Sequence, residues 1–341
     1  DVQREELSSP NLHRGTERGK AFLIDTEIFS GARATMGEVE RYAIYRGAYG
    51  CSLLPEGEDP GLIAKPALPV PPLYEKEDQG GFDTFDNEAL WVIVEEALGE
   101  PDPVTPRRTR AVMIVEGNDI LVEAYAPGFK ENRPIASYSM GKALTNALIG
   151  ILVQQGKLYL DDPAPIPEWQ GADDPRRAIT VSHLLHMSAG LDAEYEGRRD
   201  MGSEAMSALF GGDAEKYAIT SPLRAAPGQD WWYSNANTFA LMSVIRNIVG
   251  GNEETLRQFI QTELFDPLGM EHSIIEFNAF GTPVTTSFNY LKPRVWVRFG
   301  QLYLNDGVVD GRRLLPPGWV AFTATPKASS PDATFGAHWH V

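Results

Sequence analysis

The sequence predicts an α+β fold, on three observations. Two short β-patterned runs, Thr109 to Val115 and Ile120 to Tyr125, come first. A long block of helical periodicity follows from Ser139 onward. The repeated strand–helix alternation of a doubly wound sheet is missing.

The elements follow in chain order. Residues 1–85 are weakly patterned and read as an N-terminal extension with no assigned role. Within them Pro66 to Tyr74, PALPVPPLY, reads as an extended, proline-stiffened connector. Asp86 to Leu98 places Leu90, Ile93, Val94, Ala97 and Leu98 at helical spacing, with Asp86 or Asn87 as its cap. Glu116-Gly117-Asn118-Asp119 separates the two β-runs, which is the pattern of a hairpin. From Ser139 to Gln155 the apolar residues Met140, Leu144, Ala147, Leu148, Ile151 and Leu152 share one side, and Gly156 is placed to end the helix. Further helices are expected from Thr180 to Met187, Asn235 to Val249, Glu253 to Phe265 and Val295 to Leu304. The resulting division is an extension over 1–85 and a body over 86–341, with a helical region of about 143–275. No internal repeat or low-complexity tract interrupts it.

Composition narrows the function classes. The chain has 341 residues, 30 Lys plus Arg and 47 Asp plus Glu, for a net charge of −17. That balance argues against a nucleic-acid partner, which needs clustered Lys and Arg. Residues 51–100 hold twelve acids against Lys65 and Lys76, and read as a solvated acidic surface. No apolar run approaches the ~18–20 residues needed to span a bilayer. The single cysteine, Cys51, excludes an intramolecular disulfide and any multi-cysteine zinc site. The chain starts at Asp1 without Met, so a processed or trimmed product is expected, and a periplasmic or secreted location is consistent with that start.

Two short motifs carry candidate chemistry. Ser139-Met140-Gly141-Lys142 is an S-x-x-K at a helix start. In a chain with 17 Ser and 9 Lys it arises by chance about 0.4 times, so its context matters more than its match. Three residues along a helix bring both side chains to one face, and the helix N-terminus favours negative charge on the serine oxygen. A lysine in an apolar, positively charged pocket can act as base towards that serine. A helix cap beside a surface lysine is the plain alternative. Tyr233-Ser234-Asn235 is a Y-x-N before a helix, where Asn235 could cap and a phenol beside a lysine can shuttle protons. Tyr303-Leu304-Asn305 also matches, but Tyr303 lies in an apolar helix and reads as core.

At these residues the stretch from Thr109 to Trp339 resembles the serine β-lactamase and penicillin-binding-protein superfamily, and within it the class-C-like carboxylesterases and 6-aminohexanoate-dimer hydrolases. The passages that carry the resemblance are Ala136 to Lys142, Gly156 to Asp162, Ile179 to Leu191, Pro227-Gly228 through Asn235, Leu264 to Met270 and Arg298 to Asn305. The resemblance implies an antiparallel β-sheet flanked by helices, with an inserted, mostly helical region. It implies a serine hydrolase forming an acyl-enzyme on Ser139, with Lys142 as general base, Tyr233 as proton shuttle and Asn235 orienting the lysine or substrate. Tyr195 matches the position of a substrate-contacting tyrosine in relatives, although an exposed loop residue is an equal reading. Trp231 and Trp232 could line an apolar acyl pocket, or one of them could be plain core.

One element of the superfamily pattern is not found. Between Met270 and Val341 there is no Lys-Thr-Gly-like, His-x-Gly-like or Trp-Gly-Gly-like triplet; Lys327-Ala-Ser-Ser is no match, and Gly336 to Val341 resembles the segment before that strand. In relatives the missing strand supplies one of two oxyanion donors, whose loss costs about 10²–10³ in rate. The expectation is a chain lacking its last strands: cut short, missing a segment in this sequence, complemented by a C-terminal segment or partner chain, or a degenerate pseudo-enzyme.

Other signals are weaker. Ser137-Tyr138-Ser139-Met140-Gly141 lacks the first glycine of a G-x-S-x-G elbow, which removes an α/β-hydrolase reading. His183 with His186, and His338 with His340, could each be half a metal site, but no H-E-x-x-H or carboxylate-rich partner motif supports either. No metal or organic cofactor is expected. The first reading is a carboxylesterase or amidase acting on small acyl substrates. The alternatives are a β-lactam or D-alanyl-peptide hydrolase and a non-catalytic scaffold of the same fold.

Overall fold

The computed structural model describes residues 12–17, 20–25, 31–36, 39–45, 51–54, 82–83, 88–102, 104–193, 204–327, 330 and 334–341. The connector at 66–74 and the caps Asp86 and Asn87 lie outside them.

The weakly patterned N-terminal part contains an antiparallel meander that the sequence reading missed. Strands β1 (Leu12–Glu17), β2 (Lys20–Asp25), β3 (Gly31–Met36), β4 (Val39–Tyr45) and β5 (Cys51–Leu53) pair in chain order. Two-residue connections containing Gly19 and Gly37 separate β1 from β2 and β3 from β4, a spacing that signals hairpins. The signal is hard to see because the strands lack a clean apolar alternation. The meander is tied to the body where the Ser52 hydroxyl donates to the carbonyl of Phe277.

A second sheet holds β6 (Phe82–Asp83), β7 (Ala111–Glu116) and β8 (Asp119–Tyr125), ordered β6-β8-β7. The expected hairpin is thus present, and helix α1 (Glu88–Leu98) covers it through Val94, packed with Val122 and Ala124. Glu123 on β8 is buried and accepts from Arg294 Nε at 2.9 Å and from the Tyr125 hydroxyl. Burial alone would raise its pKa, but these donors outweigh burial and hold the carboxyl below its usual range.

The centre of the body is helix α2 (Lys142–Gln154). Every residue from Lys142 to Leu152 is buried, so this helix is enclosed on all sides rather than carrying one apolar stripe. Its polar residues therefore need partners: the Thr145 hydroxyl donates to Thr285 Oγ1 at 2.9 Å. Gly156, at φ +67°, ends the helix as expected, with Gly156 N–H bonded to Val153 O and Lys157 N–H to Leu152 O.

Around α2 pack α3 (Val181–Leu185), α4 (Glu204–Leu209), α5 (Ala214–Thr220), α6 (Asn235–Val249), α7 (Glu253–Ile260), α8 (Pro293–Leu304) and α9 (Trp319–Thr323). The helix expected through Phe265 widens after Ile260 into a π-turn, Gln261–Phe265, in which Asp266 N–H reaches Gln261 O. Pro267 follows and has no N–H to continue an α ladder. Tyr303 is core, as its apolar helix implied. A small sheet of β9 (Ile135–Ala136), β10 (Ile274–Ile275) and β11 (Asn289–Leu291), ordered β10-β11-β9, leads directly into α2, and β12 (Val308–Val309) and β13 (Arg312–Arg313) form a last hairpin. The architecture is α+β.

Candidate active site

The site is assembled where β9 gives way to α2. Strand β9 pairs with β11 through Tyr290↔Ala136, and Ser137 N–H extends that pairing to Asn289 O at 2.8 Å. The chain then tightens into a 3₁₀ turn, Tyr138–Gly141, before α2 begins. Asn289, fully buried, locks this turn: its Nδ2 donates to Ser137 Oγ at 2.8 Å and to Thr285 O at 3.0 Å. The close approach demands glycine at 141. A Cβ there would lie 2.0 Å from Asn289 Nδ2 and 2.2 Å from Thr285 O. Tyr138, next to the serine, sits at φ +45°, a left-handed conformation that costs a non-glycine residue roughly 1–3 kcal/mol.

Ser139 faces solvent while Lys142 is buried, with 2% of its surface exposed. Lys142 Nζ stands 3.2 Å from Ser139 Oγ, within hydrogen-bonding reach. The same nitrogen lies 4.8 Å from the centre of the Tyr233 ring. Three of the sequence-predicted residues, Ser139, Lys142 and Tyr233, are therefore in one cluster.

Tyr233 comes from a loop laid along residues 187–193. Trp232 N–H donates to Met187 O at 2.8 Å, and Trp232 Nε1 to Ala193 O at 2.6 Å. Arg224 stacks 3.9 Å from the Trp232 ring and pairs with Asp230 at 3.1 Å, which clamps the loop from outside. Trp232 is thus a loop anchor. Trp231 lies 6.2 Å from Tyr233 between ring centres, with its Nε1 buried and without a partner among the described residues.

Asn235 is buried at the start of α6, but it does not cap the helix. Ser234 does, its hydroxyl accepting from Ala236 N–H at 3.1 Å, because Asn235 already has helical backbone and Ser234 is extended. The Asn235 Oδ1 is buried with no partner among the described residues, which leaves an acceptor available at this end of the site. Tyr195 lies outside the described residues.

Sequence reading missed one wall of the cluster. Phe335 stands edge-on to Tyr233, 5.7 Å between centres at 88°, and 5.7 Å from Trp231. No motif or periodicity marks Phe335 or Asn289.

Of the six histidines, His183, His186, His338 and His340 each have a separate structural partner. The His183 Nδ1 accepts from Thr180 N–H at 3.1 Å and completes a capping box on α3. The His186 Nδ1–H donates to Ser182 O at 2.8 Å. The His338 Nδ1–H donates to Leu185 O at 2.7 Å, which leaves Nε2 to accept from the Thr238 hydroxyl at 2.9 Å. Burial pushes His338 down to about 3, and the Lys142 charge acts in the same direction. His340 packs edge-on against Phe335 at 5.0 Å. Among the described residues no group of three or more His, Cys, Asp or Glu is placed to hold a metal ion.

The exposed Ser139 hydroxyl, a buried lysine nitrogen 3.2 Å away and an aromatic phenol ring beside that nitrogen are thus brought together at the start of α2. Comparison with known proteins follows the same line. A family model described as Beta-lactamase matches residues 105–315. The 6-aminohexanoate-dimer hydrolase of Paenarthrobacter ureafaciens is 26% identical over 229 residues, 62% of this chain and 56% of that protein. The D-alanyl-D-alanine-carboxypeptidase/endopeptidase AmpH of Escherichia coli (strain K12) is 26% identical over 179 residues, 47% of this chain and 43% of that one. This chain thus spans about half the length of these curated relatives. The solved penicillin binding protein of Bacillus halodurans superposes with a TM-score of 0.52 at 19% identity, covering 67% of this chain and 78% of that one. That last likeness shows the fold.

Proposed function

The chain belongs to the beta-lactamase family, and from that premise we propose that it is a serine hydrolase acting through an acyl-enzyme on Ser139, with small esters or amides as substrates. The observation that carries the reading is the 3.2 Å approach of buried Lys142 Nζ to the exposed Ser139 hydroxyl.

The proposed steps are these. The Ser139 Oγ attacks the substrate carbonyl and its proton passes to Lys142 Nζ. The N-terminus of α2 favours the negative charge that develops beside it. Collapse of the tetrahedral intermediate expels the alkoxide or amine, which takes a proton through the Tyr233 phenol from Lys142. Water then attacks the acyl-enzyme by the reverse path, giving the acid and restoring Ser139. The buried Oδ1 of Asn235, which has no partner among the described residues, is left to accept an N–H of the substrate, and Trp231 borders the acyl group.

Esters are favoured because an alkoxide leaves more readily than an amine and asks less of the oxyanion donors. A second reading, hydrolysis of β-lactams or D-alanyl peptides, draws on the similarity to AmpH.

The test is intact-mass analysis after treatment with a fluorophosphonate probe, on the wild type and on Ser139→Ala. One adduct, absent from the variant, is expected. No adduct on folded protein overturns the reading. Comparing turnover of a nitrophenyl ester with that of nitrocefin separates the two substrate classes.

A further inference from the structure

We propose that Asn146 is a positioning residue for Tyr233, acting through the segment 335–341. The proposal rests on the reading of Tyr233 as the proton shuttle.

Asn146 lies one helical turn beyond Lys142 on α2 and is fully buried. Its side chain uses its full hydrogen-bonding capacity. The Oδ1 accepts from the Tyr303 hydroxyl of α8 at 2.6 Å and from Trp319 Nε1 of α9 at 2.8 Å. The Nδ2 donates to Ala337 O at 2.8 Å and to Thr323 Oγ1 at 3.2 Å. One amide therefore joins the helix that begins at Lys142 to α8, α9 and segment 335–341.

That segment carries the wall of the phenol. Phe335, two residues before Ala337, is 3% exposed and meets Tyr233 edge-on. Ala337 N–H donates to Thr323 O at 2.9 Å, and His338 N–H to Leu185 O at 2.8 Å. The segment is thus pinned on both sides of the carbonyl that Asn146 holds. An apolar side chain would fill this core position without the desolvation that an amide and its partners require. What the amide adds is specification: it selects one register of the segment against α2, and with it the placement of Phe335 against Tyr233.

The test measures the accessibility of Tyr233 directly. Tetranitromethane nitration, quantified residue by residue by mass spectrometry, is applied to the wild type, Asn146→Leu, Asn146→Asp, Phe335→Ala and Asn146→Leu/Phe335→Ala. Asn146→Asp keeps an acceptor for Tyr303 and Trp319 and removes the N–H donated to Ala337 O, so it isolates the link if the leucine variant does not fold. Exposed Tyr138 is the internal control.

The expected result is Tyr233 nitration raised about tenfold in either Asn146 variant, with Tyr138 unchanged and the double variant no faster than Phe335→Ala alone. In ester turnover the same variants lower kcat and leave KM unchanged. Nitration of Tyr233 at the wild-type rate in both Asn146 variants overturns the proposal, as does a double variant whose increase is the product of the single ones. Absence of wild-type fluorophosphonate labelling alongside the expected nitration pattern refutes the Ser139 chemistry instead, because nitration needs no turnover.

Discussion

His338 makes the stability of this protein pH-dependent in a direction that can be worked out in advance. Its imidazole is held neutral in the fold, down at about 3, while in the unfolded chain it returns to the ordinary 6.5. Between those values the unfolded state binds a proton that the folded state refuses, so stability falls as pH is lowered. The contribution is complete above about pH 6.5 and is lost progressively down to about pH 3. At about 1.4 kcal/mol per pH unit, the wild type loses roughly 2.5 kcal/mol through this group between about pH 6.5 and 4.5. The matching variant is His338→Asn, because asparagine tolerates the φ of +60° found there and carries no charge at any pH. It forfeits the bond to Thr238 and starts less stable, but the prediction concerns slope. Urea unfolding at several pH values gives that slope for each protein. The wild type is expected to weaken more steeply below about pH 6 than His338→Asn, by close to one proton. His183 and His186, both lowered chiefly by burial, contribute equally to the two proteins and cancel. Equal slopes would show that His338 takes up a proton without cost, and the reasoning from burial would fail.

Three further outcomes are expected. Tyr233→Phe keeps the ring against Phe335 and removes the hydroxyl, so kcat for ester hydrolysis should drop by about 10²–10⁴ with little change in unfolding midpoint; unchanged kcat removes the shuttle from the mechanism. Gly141→Ala places a Cβ 2.0 Å from Asn289 Nδ2, so the turn must shift at a cost of about 1–3 kcal/mol; urea unfolding should show it, and fluorophosphonate labelling of Ser139 should slow. Thr180→Ala removes the cap that accepts from His183 N–H at 3.2 Å, and a loss of about 1 kcal/mol in stability without change in labelling rate is expected.

The cluster was legible to the extent that it is local. Ser139 and Lys142 meet because three residues of helix bring side chains to one face, and that spacing is written in the chain. The hairpin of β7 and β8, the end of α2 at Gly156 and the burial of Tyr303 follow from periodicity and turn chemistry in the same way. Assigning the cap of α6 to Asn235 failed by one residue, because Ser234 and Asn235 are both good caps and only backbone angles separate them. The N-terminal meander escaped notice because strands such as GARATM carry too few large apolar residues to show a period of two.

The sequence by itself determined the α+β order, the helix ended by Gly156 and the approach of Lys142 to Ser139, since each depends on neighbours within a turn or two. Only the tertiary structure decided that Asn289 locks the turn holding Ser139 across 152 residues, that Phe335 walls Tyr233, and that Asn146 binds the segment carrying that wall. Those contacts join residues far apart in the chain. Packing, not local conformational preference, selects such partners, and no short-range pattern records the choice.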